Sequence, residues 1–171
     1  VATSAVRQAD NAPLFLASAE RHLGFRIDVI SGHEEAQLVY AGVAHTLPDT
    51  QRMRLVVDIG GGSTELILGQ GAQPLLTESV AVGSGTVGAR YFPGGAISAR
   101  ALLEAERVAT LQFERVARRY RAKGWQQVIG SSGTARMLAK VLKANGLNDD
   151  GQGGVTYGGL LRLSLRLLEV G

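Results

Sequence analysis

The chain has 171 residues, enough for one sizeable domain or two small lobes. With 45% hydrophobic and 19% charged residues it reads as globular rather than disordered, and with no cysteine it has no disulfide, no thiolate metal site and no cysteine nucleophile. A formal charge of +3 permits a polyanionic ligand without demanding one, and an aromatic content of 5% argues against a stacking surface for single-stranded nucleic acid.

No apolar run approaches the ~20 residues that span a bilayer, and nothing resembles a signal peptide. A soluble, cytoplasmic protein without membrane or nucleic-acid partners is expected. The sequence opens at Val1 and stops at Gly171 straight after an apolar helical pattern, so a piece of a longer protein is expected.

In chain order, Val1 to Ser4 is short and β-prone. Asn11 to His22 reads as a helix, with Asn11 at the N-cap and Pro13 in the first turn. Phe25 to Ile30 reads as a strand. Ser31 opens a second helix to about Thr46, and Ser31 with Glu34 matches the capping box. The polar stretch Pro48 to Arg52 is the candidate boundary between two lobes, residues 1–51 and 52–171.

Arg54 to Ile59 is a nearly continuous apolar strand containing Asp58 near its end. Gly60, Gly61 and Gly62 turn the chain, and Thr64 to Leu68 returns. After Gly69 to Gly71, Leu75 to Val82 makes a third strand, giving an antiparallel meander. A short helix near Ser84 to Tyr91, a long one from Ser98 to about Lys123, a strand Gln126 to Ile129 and a helix Gly133 to Ala144 follow. Asn145 to Gly154 is a loop, and Val155 to Val170 a final helix. This order predicts an α/β layer fold with a mixed sheet.

The strongest local signal is L-V-V-D-I-G-G-G-S-T-E-L-I-L-G, Leu55 to Gly69. Two readings of its turn are open. One is a hairpin whose glycines only supply positive φ. The other is an anion-binding nest of successive amides, helped by the hydroxyls of Ser63 and Thr64. Asp58 and Glu65, one on each side of the turn, favour the second, because paired oxygen donors beside a phosphate suit a hydrated Mg2+. It is not a Walker A loop, since no Gly-Lys-Ser/Thr follows and the glycines join strand to strand.

These residues, with I-S-G-H-E-E-A-Q-L-V-Y-A-G-V and A-T-S-A-V-R before them and Y-F-P-G-G and V-I-G-S-S-G-T-A after, resemble the exopolyphosphatase / guanosine pentaphosphate phosphohydrolase (Ppx/GppA) family from Val1 to about Leu142. The resemblance implies the actin-like ATPase superfamily fold, with ribonuclease-H-like lobes of mixed sheet flanked by helices, the start of the first lobe lying before Val1. It implies hydrolysis of the terminal phosphate of inorganic polyphosphate or guanosine pentaphosphate, a divalent cation, and a homodimer of the whole protein. With its opposing phosphate loop before Val1, the chain alone is expected to be inactive.

By the same resemblance Glu35 is the catalytic base, Asp58 and Glu65 are active-site acids that hold the metal, and Arg7 lies near the substrate. Gly60, Gly61, Gly62, Ser63 and Thr64 are the phosphate-binding turn. From the residues alone, Glu34 is explained by the capping box, whereas Glu35 also reads as a solvated first-turn carboxylate favoured by the helix dipole. Leu38 and Val39 are expected on the Glu35 face, against the cleft. A kinase or ATPase of the same superfamily and a non-catalytic polyphosphate sensor are the alternatives.

Weaker features remain. Gly130 to Thr134 is either a helix-terminal anion site or a turn with a cap. Gly83-Ser84-Gly85 reads as a turn and cap, with a place at the border of the cleft as the alternative. Arg118, Arg119, Arg121 and Lys123 form a basic helix end, read first as a solvated face favoured by the dipole and alternatively as a polyphosphate track. His22, His33 and His45 lack metal-ligand spacing.

Overall fold

The computed structural model describes residues 1–48, 51–149 and 153–170. A four-stranded mixed sheet has the order β3-β2-β1-β4. The strands are β1 (Met53–Ile59), β2 (Thr64–Gln70), β3 (Gln73–Val80) and β4 (Gln127–Ser131). β1, β2 and β3 form the expected antiparallel meander, and β4 pairs parallel to β1, which makes the sheet mixed.

Before the sheet come α1 (Ser4–Arg7), α2 (Ala12–Leu23) and α3 (Gly32–Thr46). Pro13 sits in the first turn of α2 and Gly24, at φ 76°, closes it; Asn11 occupies the N-cap position without a side-chain capping bond. α3 begins with the anticipated capping box: the Glu34 N–H donates to Ser31 Oγ at 3.2 Å and the Ser31 N–H to Glu34 Oε2 at 2.8 Å. The strand expected over Phe25 to Ile30 is reduced to a single parallel bridge between Ala2 and Val29. Its β-prone residues meet one short partner among the described residues, and a ladder needs a neighbour along its length.

Between β3 and β4 run α4 (Ser84–Tyr91), a 3-10 turn (Pro93–Gly95) and α5 (Ala99–Lys123); α6 (Ser132–Ala144) and α7 (Tyr157–Val170) follow β4. Ser98 Oγ caps α5 by accepting the Ala101 N–H at 3.2 Å. Residues 150–152 of the loop expected before α7 lie outside the described residues.

Alternation along the strands gives the sheet two faces. Val56 and Ile67, directly opposite each other, meet Ala36 and Tyr40 of α3, with Val39, Val43, Ala44 and Ile129 around them. The Tyr40 ring lies over Gly69, where a Cβ would stand 2.3 Å from the ring, and its hydroxyl donates to the Gly71 carbonyl at 3.0 Å. On the other face, the Tyr120 hydroxyl of α5 donates to the Leu66 carbonyl at 2.7 Å, and Gly130 leaves room for Ala135 of α6.

α3, which precedes the polar stretch at 48–52, packs on the sheet and shares its core. Residues 49 and 50 of that stretch lie outside the described residues. Arg54 also reaches back to that stretch. It is 2% exposed, and its guanidinium donates to Gln127 Oε1 at 3.1 Å and to the Pro48 carbonyl, so the buried cation is hydrogen-bonded.

Candidate active site

The site forms where β1 runs out into the triple-glycine turn. Asp58 and Glu65 are directly opposite in the β1–β2 register, so both side chains project on the face covered by α3. α3 brings Glu35 to the same end. Glu65 is 2% exposed, and the Ser79 hydroxyl donates to its Oε1 at 2.8 Å. Burial pushes the Glu65 carboxyl above the ordinary range; hydrogen bonds from Ser63 and Ser79 oppose that, and the negative charges of Glu35 and Asp58 add to it.

Glu35 has a side chain 17% exposed, and its Oε2 is buried without a hydrogen-bond partner. The nearest cation is Arg7, whose Nη2 lies 3.6 Å away while Nη1 donates to the Ile30 carbonyl at 2.5 Å. Arg7 thus faces the Glu35 carboxylate directly. Of the two apolar residues expected beside Glu35, Val39 packs into the core and Leu38 is 56% exposed. The α3 surface next to the site is bounded by Gly32, not by Leu38: a Cβ on Gly32 would stand 2.5 Å from Ser79 Cβ.

The turn itself is held from behind. The N–H groups of Ser84, Gly85 and Thr86, at the start of α4, donate to the carbonyls of Gly60 and Gly61 at 2.9, 2.9 and 3.0 Å. The Ser84 hydroxyl adds a bond to the Gly60 carbonyl at 3.1 Å. A planar trans peptide points its N–H opposite to its carbonyl. Pulling those two carbonyls toward α4 therefore turns the N–H groups of Gly61 and Gly62 the other way, and neither makes a hydrogen bond to any described residue. Two adjacent free amides are donors from which an anion could accept.

A cavity of about 490 Å3 lies at these amides, lined by Gly60, Gly61, Gly62, Ser63, Glu35 and residues of α1 and α4. Five of the expected site residues meet there. Asp58, Glu65 and Arg7 are not among its lining residues. Thr64 does not line it either. Its neighbour Glu65 takes the site face, so Thr64 points to the other side of the sheet, where its hydroxyl donates to the Val82 carbonyl at 2.6 Å.

The sequence reading missed Ser79, Ser4 and Gln8, and left the role of Gly83 to Gly85 open. Ser79 holds Glu65, Ser4 and Gln8 line the cavity, and Gly83 to Thr86 orient the turn rather than merely ending a strand. The cluster of glycines at 83–85 was the available signal for the last. The loop from Gly130 to Thr134 abuts the turn instead of the cavity: Ser132, at φ 71°, donates its hydroxyl to the Ile59 carbonyl at 2.8 Å. At the basic end of α5, Arg119 pairs with Glu78 at 2.6 Å. Near the site, His33 Nδ1 meets the Thr77 hydroxyl at 2.6 Å.

Among the described residues no set of three or more His, Cys, Asp or Glu side chains is arranged to hold a metal ion. Three carboxylates nonetheless interact electrostatically here with Arg7 as the close cation, and one Glu65 oxygen is already taken by Ser79. Asp58 and Glu65 are the residues that could hold a hydrated Mg2+, which takes one or two carboxylates and completes its shell with water and phosphate oxygens.

The chain matches the profile of the Ppx/GppA phosphatase family over residues 1–171. Among solved structures it is similar to an exopolyphosphatase-like protein at 31% identity, covering 83% of this chain and 46% of that one with a TM-score of 0.75. It is similar to the Aquifex aeolicus PPX-GPPA enzyme at 26% identity over 98% of this chain and 55% of that one, TM-score 0.73. An exopolyphosphatase from Cytophaga hutchinsonii shares the fold at 23% identity and a TM-score of 0.80, again over 98% and 55%. The chain thus spans about half the length of these relatives. The likeness agrees with the actin-like ATPase fold expected from the sequence, here with its mixed four-stranded sheet. The chain belongs to the Ppx/GppA phosphatase family.

Proposed function

We propose that the protein carrying this chain hydrolyses the terminal phosphate of inorganic polyphosphate or guanosine pentaphosphate by attack of water. One observation carries the reading: a buried Glu35 oxygen without a hydrogen-bond partner lines the same cavity as the free amides of Gly61 and Gly62. An anion belongs at the amides. A neutral donor that can lose a proton belongs at the carboxylate.

In this mechanism the terminal phosphoryl group lies in the nest, its non-bridging oxygens accepting from the Gly61 and Gly62 N–H groups. Glu35 Oε2 accepts one proton of the attacking water and orients its lone pair toward phosphorus. Arg7, fixed by the Ile30 carbonyl, keeps the Glu35 carboxylate from turning away and adds positive potential for a polyanion. The oxygen–phosphorus bond to the rest of the chain breaks, and the shortened chain departs with the electron pair. Asp58 and Glu65 would hold Mg2+, which supplies charge neutralisation for the phosphoryl oxygens. No covalent intermediate on the protein is needed, since phosphoryl transfer relies chiefly on positioning and electrostatics.

The test is phosphate release from long polyphosphate, tripolyphosphate, guanosine pentaphosphate and ATP, with and without Mg2+. Release from one of the first three, lost in Glu35→Gln, is the expected result. Preferential turnover of ATP with phosphate passed to a small molecule, or binding without turnover, overturns it.

A further inference from the structure

Ser4, the first residue of α1, is 6% exposed, and its polar atoms are only partly used. Its carbonyl accepts the Gln8 N–H at 3.1 Å, and its Oγ accepts the carboxamide N–H of Gln8 at 2.8 Å. A serine hydroxyl also carries one donor. That O–H has no acceptor among the described residues, although the residue is buried and lines the 490 Å3 cavity.

The hydroxyl sits hard against the glycine turn. A Cβ on Gly62 would stand 2.7 Å from Ser4 Oγ and 3.6 Å from Gln8 Nε2. The absence of a side chain at Gly62 is what lets the hydroxyl reach the turn whose Gly61 and Gly62 amides are free. Three donors, two N–H and one O–H, then belong to residues that line one cavity, in which Glu35 is the one acidic lining residue among the described residues. Three such donors suit a group that only accepts, such as a tetrahedral oxyanion.

We propose that Ser4 is a further substrate-contacting residue, donating its hydroxyl proton to a non-bridging oxygen of the terminal phosphoryl group, and that Gln8 is the residue that positions it. Gln8 lies one helical turn beyond Ser4. By donating to Ser4 Oγ it occupies a lone pair there and leaves the O–H to point at the cavity. Gln8 brings no charge and acts through Ser4. The proposal rests on the reading that this cavity takes a phosphoryl group.

The test uses the Glu35→Gln protein, which should hold substrate without turning it over, titrated with inorganic tripolyphosphate and Mg2+ by calorimetry. Ser4→Ala in that background should weaken binding by about 10-fold, the order expected for losing a hydrogen bond to a charged acceptor. Gln8→Ala, at an exposed position that leaves the fold alone, should weaken it by a smaller factor. The double variant should bind no more weakly than Ser4→Ala, because Gln8 acts through the hydroxyl that is already gone. Thermal melting is followed in parallel, and unchanged melting with weakened binding separates a ligand contact from a packing role. Unchanged affinity in Ser4→Ala overturns the contact, and additive losses overturn the positioning role of Gln8. If the Glu35→Gln protein itself does not bind tripolyphosphate, the phosphate-chain reading fails and the role of Ser4 falls with it.

Discussion

A Cβ on Gly83 would stand 2.4 Å from the carbonyl oxygen of Gly61. The start of α4 is thus built flush against the back of the triple-glycine turn, and the direction of the free amides depends on that fit.

Gly83→Ala should therefore displace the turn. Overpacking against backbone costs about 1–3 kcal/mol, so a fall in Tm together with a large loss of kcat/KM is expected. Gly88, in the same helix, is the control, because a Cβ there meets no atom within 4 Å. Gly88→Ala should be neutral or stabilising by about 0.5–1 kcal/mol with activity kept. Equal loss of activity in both variants would show that the fit at Gly83 does not matter.

Two adjacent glutamates should behave in opposite ways. Glu34 closes the capping box, and its carboxyl is held below the ordinary range by the Ser31 backbone and side-chain hydrogen bonds. Glutamine also serves at that position, so Glu34→Gln should leave activity near the parent level. Glu35→Gln keeps the shape of the side chain but cannot take the proton of water. Turnover should fall by roughly 100- to 10,000-fold, with tripolyphosphate binding little changed. Steady-state kinetics on the two variants decide the assignment; an inactive Glu34→Gln reverses it.

Asp58 and Glu65 share one register position and are proposed to share one Mg2+. Asp58→Asn and Glu65→Gln should each lower turnover and move the Mg2+ activation curve to higher concentration. Variants that titrate like the parent would leave the two acids a purely structural role in the hairpin.

Glu65 also makes a prediction about stability. Its carboxyl is raised, chiefly by burial, so the native state holds a proton that the unfolded chain releases at lower pH. Metal-free stability should be highest where the group is protonated in both states. It should decline as pH rises from the ordinary glutamate range through the raised native value. Glu65→Gln removes that ionisation, and the metal-free variant should melt higher than the parent at neutral pH even though it is less active. Thermal melts of both proteins in chelator across this range measure it; parallel curves would remove Glu65 as the source.

Much of this architecture can be read without coordinates. The capping box of α3, the meander and the long α5 follow from local signals: cap residues, alternation and glycine turns. The Phe25 to Ile30 segment has the composition of a strand and forms one bridge, because a ladder depends on a neighbour that local sequence does not name. Ala36 and Tyr40, before the polar stretch near residue 50, share a core with Val56 and Ile67 after it, a packing that local sequence does not specify.

The site divides in the same way. The spacing D-I-G-G-G-S-T-E by itself determined that two acids flank a hairpin turn, since antiparallel pairing brings Asp58 opposite Glu65. Alternation determined that Thr64 must face away once Glu65 faces in. Only the tertiary structure decided that Glu35 and Ser4 reach one cavity from two helices, and that the amides of Gly61 and Gly62, residues of the same lining, are left free. Glycine permits many backbone orientations, so the sequence of the turn leaves its amide direction open. The start of α4, more than twenty residues further along the chain, holds the carbonyls and thereby selects one.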